Sequence, residues 1–159
     1  MTKRLAKSLC SIARRGIADE RGTQLVELSL VLPVMILLFA SVAEFGRFFY
    51  TYATLAKAAR GAARYATTRR FDSTGIAQAQ SLAAFGDPSA GCSGTATLPG
   101  LTCANVDLQQ TTSAGTQVVT ARVINYQYRP IFDLGKLTGI PAVSLKINVS
   151  PSVTMKYVY

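Results

Sequence analysis

The chain has 159 residues, 49% of them hydrophobic and 16% charged, with three cysteines and a net charge of +9. It contains no histidine and no tryptophan, which removes histidine-based triads, histidine-bearing zinc sites and the commonest general base. The length suits one modest domain plus a membrane segment.

The charge is unevenly placed. Residues 1–22 carry +4, residues 44–70 carry +5, and the stretch from 71 onward is nearly neutral at +1. The excess flanks an apolar span, which is how a juxtamembrane sequence near anionic lipid reads, so the lipid bilayer is an expected partner and nucleic acid is not.

Residues 1–22 are basic and polar and read as a leader, with a short helical stretch over Ala6–Ala13. The chain from Thr23 then reads as one long helix. Thr23 is placed to cap its start, and Glu27 falls in the first turns, where a negative charge suits the helix dipole. The sixteen residues Leu28–Ala43 carry no charge. With Leu25 and Val26 they approach the ~17–25 apolar residues that a bilayer-crossing helix needs. No small-residue cleavage pattern follows the run, so Gly22, in front of it, is the candidate processing point. Pro33 lies inside the span, where a membrane helix tolerates it and a kink is expected.

After Glu44 the pattern becomes amphipathic. Phe45, Phe48, Phe49, Tyr50 and Tyr52 cluster where the span should leave the bilayer, as an interfacial belt does. Leu55, Ala59, Ala62, Ala63 and Ala66 fall on one helical face, with Lys57, Arg60 and Arg64 on another. A helix from Thr23 to Arg70 would run ~70 Å, more than a membrane needs. The remainder is expected to stand outside as a spine, its alanine face packing a sheet.

Phe71–Gly75 breaks the helix, Ile76–Phe85 predicts a second one, and residues 86–116 read as loop with one short strand near Val106–Gln110. Strand patterns follow over 117–128, 143–149 and 153–159, with Ser150-Pro151-Ser152 as a turn or bulge and a short helix over 132–137. The expected fold class is α+β: a long N-terminal transmembrane helix continuing as a spine, packed on a small antiparallel β-sheet. The expected domains are a leader over 1–22, the span and spine over 23–70, and an exported α+β head over 71–159.

Cys92 and Cys103, eleven positions apart, form a candidate disulfide if the head is exported. In the chain-entropy account such a loop contributes roughly 3 kcal/mol. The alternative is two unpaired thiols in a polar loop. The three cysteines do not have metal-site spacing, there is no glycine-rich phosphate loop, and the carboxylates outside the leader suggest no acid/base pair. No cofactor, metal or catalytic residue is expected, and the protein reads as a non-enzyme.

Gly22-Thr-Gln-Leu-Val-Glu27 before an apolar helix resembles the type IV pilin class of signal, in which a membrane peptidase cuts after the glycine. More narrowly, Gly22-x4-Glu27-x5-Pro33, then Glu44-Phe-Gly46-Arg47, then Ala58-Ala59-Arg60-Gly61-Ala62-Ala63-Arg64-Tyr65-Ala66, is similar to the TadE-like family, the minor pilins (pseudopilins) of the tight-adherence, or Flp, pilus. The resemblance implies a type IV pilin-like fold and cleavage between Gly22 and Thr23 by a prepilin peptidase. It also implies a role for Glu27 in processing and assembly. The implied place is the bacterial inner membrane, single-pass, with the leader cytoplasmic and the head periplasmic, or within the pilus. The implied partners are the prepilin peptidase, sister minor pilins, the major Flp pilin and the inner-membrane assembly platform. Glu27 is followed by Leu28, whereas the major pilins resemble a Glu-Tyr pair there, and the chain is longer than those pilins; both favour a minor component. A free Thr23 amine, charged near neutral pH at a reference pKa of ~7.7–8, would pair with Glu27 of a neighbouring subunit. The alternative is an uncleaved, signal-anchored periplasmic binding module.

Overall fold

The computed structural model describes the backbone of residues 2–133, 135–136, 139, 144 and 146–158, and side chains from residue 22 onward. Two compact units divide the chain, Met1–Ala43 and Glu44–Tyr159. One helix, α1 (Thr2–Thr67), supplies the first unit and the opening of the second.

In the first unit, the uncharged stretch of α1 over Leu28–Ala43 is apolar on every side. Leu25, Leu30, Val34, Ile36, Phe39 and Val42 are all exposed, though they point in different directions around the helix. A helix with no polar face needs an apolar surround rather than a single packing partner. Ser29 and Ser41 donate their hydroxyls to the carbonyls of Val26 and Leu37, at 2.7 and 2.8 Å, so neither presents an unpaired donor. The helix continues through Pro33. It also continues through Thr23, which is therefore not its N-cap in the full-length chain. The physical reason is modest: one glycine at position 22 costs a helix only about 1 kcal/mol, too little to end it.

In the second unit the same helix is two-faced. Leu55, Ala59, Ala62 and Ala63 are completely buried and Ala66 nearly so, while Lys57, Arg60 and Arg64 are exposed. Ala62, Ala63 and Ala66 meet Val106, Leu108, Val119 and Ala121 of the sheet, together with Ala79 and Ala83 of α2, while Leu55 and Ala59 cluster with Ala84, Leu98, Leu101, Val123 and Tyr128. Small side chains let the elements approach closely, so the expected packing of the alanine face on a sheet is what the structure has. α1 stops at Thr67, where the Thr67 and Thr68 hydroxyls bond back to the Arg64 carbonyl.

Helix α2 (Ser73–Phe85) starts three residues earlier than the periodicity of Ile76–Phe85 suggested. Asp72 is its N-cap, its Oδ1 accepting from the Gly75 N–H at 2.7 Å. This satisfies one of the orphan donors of the first turn. A Cβ on Gly75 would collide with the Arg70 carbonyl oxygen, so this tight entry needs glycine. Gly86 closes the helix as a left-handed C-cap.

The sheet has three antiparallel strands in the order β1-β2-β3: β1 (Val106–Ser113), β2 (Thr116–Val123) and β3 (Ser152–Lys156). β1 and β2 form a hairpin in which Ser113 pairs with Thr116. Ala114 (φ 50°) and Gly115 (φ 78°) make its two-residue turn, both left-handed, as a type I′ turn requires. Strand β1 is longer than the Val106–Gln110 expected, and the turn lies in the stretch read as loop. β2 stops at Val123, before the expected Tyr128. The 143–149 strand lies partly outside the described residues, and its described part contributes a single bridge, Gln127 to Asn148. The short helix expected over 132–137 also lies partly outside them. The α+β class holds: a long N-terminal apolar helix whose later part packs on a small three-stranded antiparallel sheet.

Cys92 and Cys103 are joined in a disulfide with Cα atoms 5.8 Å apart. It ties the loop after α2 to the entry of β1. The same loop is held by the Thr97 N–H on the Ala84 carbonyl at 2.8 Å and by the buried Ser81 hydroxyl on the Asp87 carbonyl at 2.8 Å.

Candidate functional site

Two places are candidates for the functional site. The first is the front of the apolar span. Gly22 and Glu27 are exposed on α1, and a Cβ added to Gly22 would meet nothing within 4 Å. Space therefore does not require glycine at position 22; a requirement there comes from elsewhere. Glycine makes local unwinding easier, since it favours a helix by about 1 kcal/mol less than alanine does. Thr23 and Glu27 stand four apart, on one face of the same helix. The structure of the intact chain thus brings Gly22, Thr23 and Glu27 together within about one and a half turns. Cys92 and Cys103 belong to the second unit and play no part in this cluster.

The second place enters the sequence pattern only as the Glu44-Phe-Gly46-Arg47 part of the resemblance, with no role attached. Glu44, the first charged residue after the span, is 1% exposed. Its carboxylate accepts from the Tyr128 hydroxyl at 2.5 Å, the Ile131 N–H at 3.3 Å and the Phe132 N–H at 3.3 Å. Arg47, one turn on, lies 4.0 Å away. A buried carboxylate is costly unless paired and hydrogen-bonded, and this one has both kinds of partner. The Tyr128 ring packs edge-on against Phe48, with centroids 5.4 Å apart. Burial, reinforced by the Glu44 hydrogen bond and charge, pushes the Tyr128 hydroxyl up to about 12. Burial likewise raises Tyr126, whose hydroxyl donates to the Pro99 carbonyl at 3.2 Å.

Glu44 therefore clamps the 128–132 segment against the opening turn of the second unit. Nothing local in the sequence announces this, because its partners lie 84 to 88 residues away. The available signal was the Glu44-x-x-Arg47 spacing together with the Tyr126-Gln-Tyr128 alternation. Beside the clamp, Arg47 and Arg129 line a cavity of about 460 Å³ with Thr51, Tyr126 and the 98–100 turn, and no carboxylate is among its lining residues.

Among the described residues, no group of histidine, cysteine and acidic side chains is arranged to hold a metal. One described helix, Gly22–Thr67, is long and apolar enough to cross a membrane. The model of the family described as TadE-like protein matches residues 22–64.

This segment is TadE-like. The match opens on Gly22 and runs through Glu27, Pro33, Glu44, Arg47 and the alanine face, and leaves the sheet outside it. Both places described above thus fall within the TadE-like stretch, the second through its helical half. No curated protein and no solved structure matches the chain.

Proposed function

We infer that this chain is a TadE-like minor pilin, or pseudopilin, of a Tad/Flp pilus. It is anchored in the bacterial inner membrane by one helix, with residues 1–22 cytoplasmic and the disulfide-bonded head periplasmic. The observation that carries the reading is the family match over residues 22–64, on a helix whose stretch Leu28–Ala43 is apolar all round, with Gly22 and Glu27 at its front edge. A prepilin peptidase cuts between Gly22 and Thr23. The new Thr23 amine then pairs with Glu27 of a neighbouring subunit as helices stack. A lone carboxylate at a membrane edge needs such a partner.

The role is binding and scaffolding. The protein helps initiate assembly through contacts with sister minor pilins, the major pilin and the inner-membrane platform. The test is the intact mass and N-terminal residue of the protein taken from membranes of its own host. A start at Thr23, abolished by Gly22→Ala or by loss of the peptidase, is the expected result. A chain that keeps residues 1–22 while the peptidase is present would sink the cleavage and leave an uncleaved, signal-anchored binding module.

A further inference from the structure

The clamp on Glu44 does more than tie the head together. It holds Ile131 and Phe132 by their backbone N–H groups, and both side chains stay exposed, at 65% and 53%. Water-exposed isoleucine and phenylalanine side by side call for an apolar surround. The loop is fixed at the level of Glu44, the residue that directly follows the uncharged run Leu28–Ala43. On α1 itself Phe45 and Phe49, one turn apart, are also exposed, at 52% and 63%. Arg47 and Arg129 line one cavity beside the clamp, with no carboxylate among its lining residues.

We propose that the Arg129–Phe132 loop is a second membrane contact, with Ile131 and Phe132 seated in the lipid interface beside the exit of α1 and Arg47 and Arg129 facing the anionic phosphates of the headgroups. Bulky apolar side chains on an interfacial segment bury at the headgroup–acyl boundary, and arginines near an anionic leaflet are drawn to it. The apolar patch and the cationic cavity occur together where the chain leaves its span, which is why lipid is the occupant and not a second copy of this chain. The head then rests on the bilayer before assembly, and Glu44 sets its footing. This inference rests on the membrane-anchor reading, and the experiment separates the two.

The chain has no tryptophan, so one introduced indole reports alone. The full-length protein would be reconstituted in vesicles of phosphatidylcholine and phosphatidylglycerol, with lipids brominated either just below the headgroup or deep in the chains. Four variants are compared: Phe132→Trp, Ile131→Trp, Phe39→Trp in the span and Thr112→Trp on the hairpin. All four positions are exposed, so the substitutions are compatible with folding. The expected result is loss of most emission from Phe132→Trp and Ile131→Trp with shallow bromines, loss from Phe39→Trp with deep ones, and none from Thr112→Trp. Adding Arg129→Gln to Phe132→Trp should bring its quenching down to that seen in vesicles of phosphatidylcholine alone.

If Phe39→Trp is quenched and neither loop variant is, the head stands clear of lipid and the proposal falls while the anchor stands. If Phe39→Trp is not quenched, the anchor reading fails and takes the proposal with it. Loop indoles shielded from both lipid and water, in proportion to protein density, would mean a second copy covers the patch and would also overturn it. Quenching indifferent to Arg129→Gln would overturn the headgroup contact.

Discussion

Helix α1 is built twice from the same backbone. In the first unit the uncharged run Leu28–Ala43 carries large apolar side chains in all directions, Leu28, Leu30 to Leu32 and Val34 to Phe39 among them, and these are exposed. In the second unit the apolar positions shrink to alanine on one side, and lysine and arginine occupy the other. The difference teaches that helix propensity decides little here. What distinguishes the halves is the surround each demands. Lipid accepts any bulky apolar face, whereas a sheet requires a smooth face at close range. The TadE-like match covers both kinds of surface, so the family signature records both demands.

The sharpest way to break the second half is at its first residue. Glu44→Ala would strand the Tyr128 hydroxyl and two backbone N–H groups, and should cost about 3–5 kcal/mol, as loss of one member of a buried charged network does. Near-UV circular dichroism of the full chain in detergent should show the tyrosine signal melting well below that of the unsubstituted protein while the far-UV helix signal of the span persists. If the two signals fall together, the halves are not independent.

Next comes the disulfide. Reducing Cys92–Cys103 should destabilise the head by roughly 3 kcal/mol if the chain-entropy account holds. Denaturant midpoints of the full chain with and without reductant would show it, and equal midpoints would show that the bond contributes nothing.

An alkaline titration sharpens the account of Glu44. The Tyr128 hydroxyl is raised from 10.0 to about 12 in the folded protein. In the unfolded chain it loses its proton first, so the stability it contributes is complete below pH ~10 and is lost as pH climbs through the folded value. That loss is of order 3 kcal/mol for a shift of this size. Tyr128→Phe should lower stability at neutral pH and flatten the alkaline limb of the curve. An unchanged limb would mean that Tyr128 is not the group responsible.

The smallest effect is the most direct contrast between the halves. Ala62→Leu would overfill the seam with the sheet and cost about 1–3 kcal/mol. Leu37→Ala, in the span, should leave the head's stability unchanged within roughly 0.5 kcal/mol, since exposed substitutions away from such seams have little effect. A head that melts early in Leu37→Ala would contradict the division into two units.

Much of this was legible from residue order. The uncharged run, the alanine spacing and the alternation over 117–128 are local patterns; the first two became the helix they implied, and the third became a strand that stops at Val123. The hairpin at Ala114-Gly115 was not legible, because alanine rarely takes a left-handed turn position and the flanking threonines and serine read as loop. The role of Glu44 was not legible for a different reason. A lone carboxylate at the end of a span reads as a boundary mark, and only the return of the chain at Tyr128–Phe132 turns it into a buried clamp. The order of the Gly22 to Glu27 features was plain from the sequence, since they are neighbours on one helix.

Strand β3 has a consequence for timing. It pairs with β2 across a gap of 28 residues, and just beyond it the Val158 N–H bonds the Thr67 carbonyl at 3.1 Å while the Tyr157 hydroxyl donates to the Arg69 carbonyl at 3.0 Å. β1 and β2 are joined by a two-residue turn and can zip locally, but the third strand and the lock on the end of α1 await residues translated last among these elements. The sheet is therefore finished in one late step, and until then the far edge of β2 stands unpaired, open to whatever chaperone or neighbouring strand is at hand.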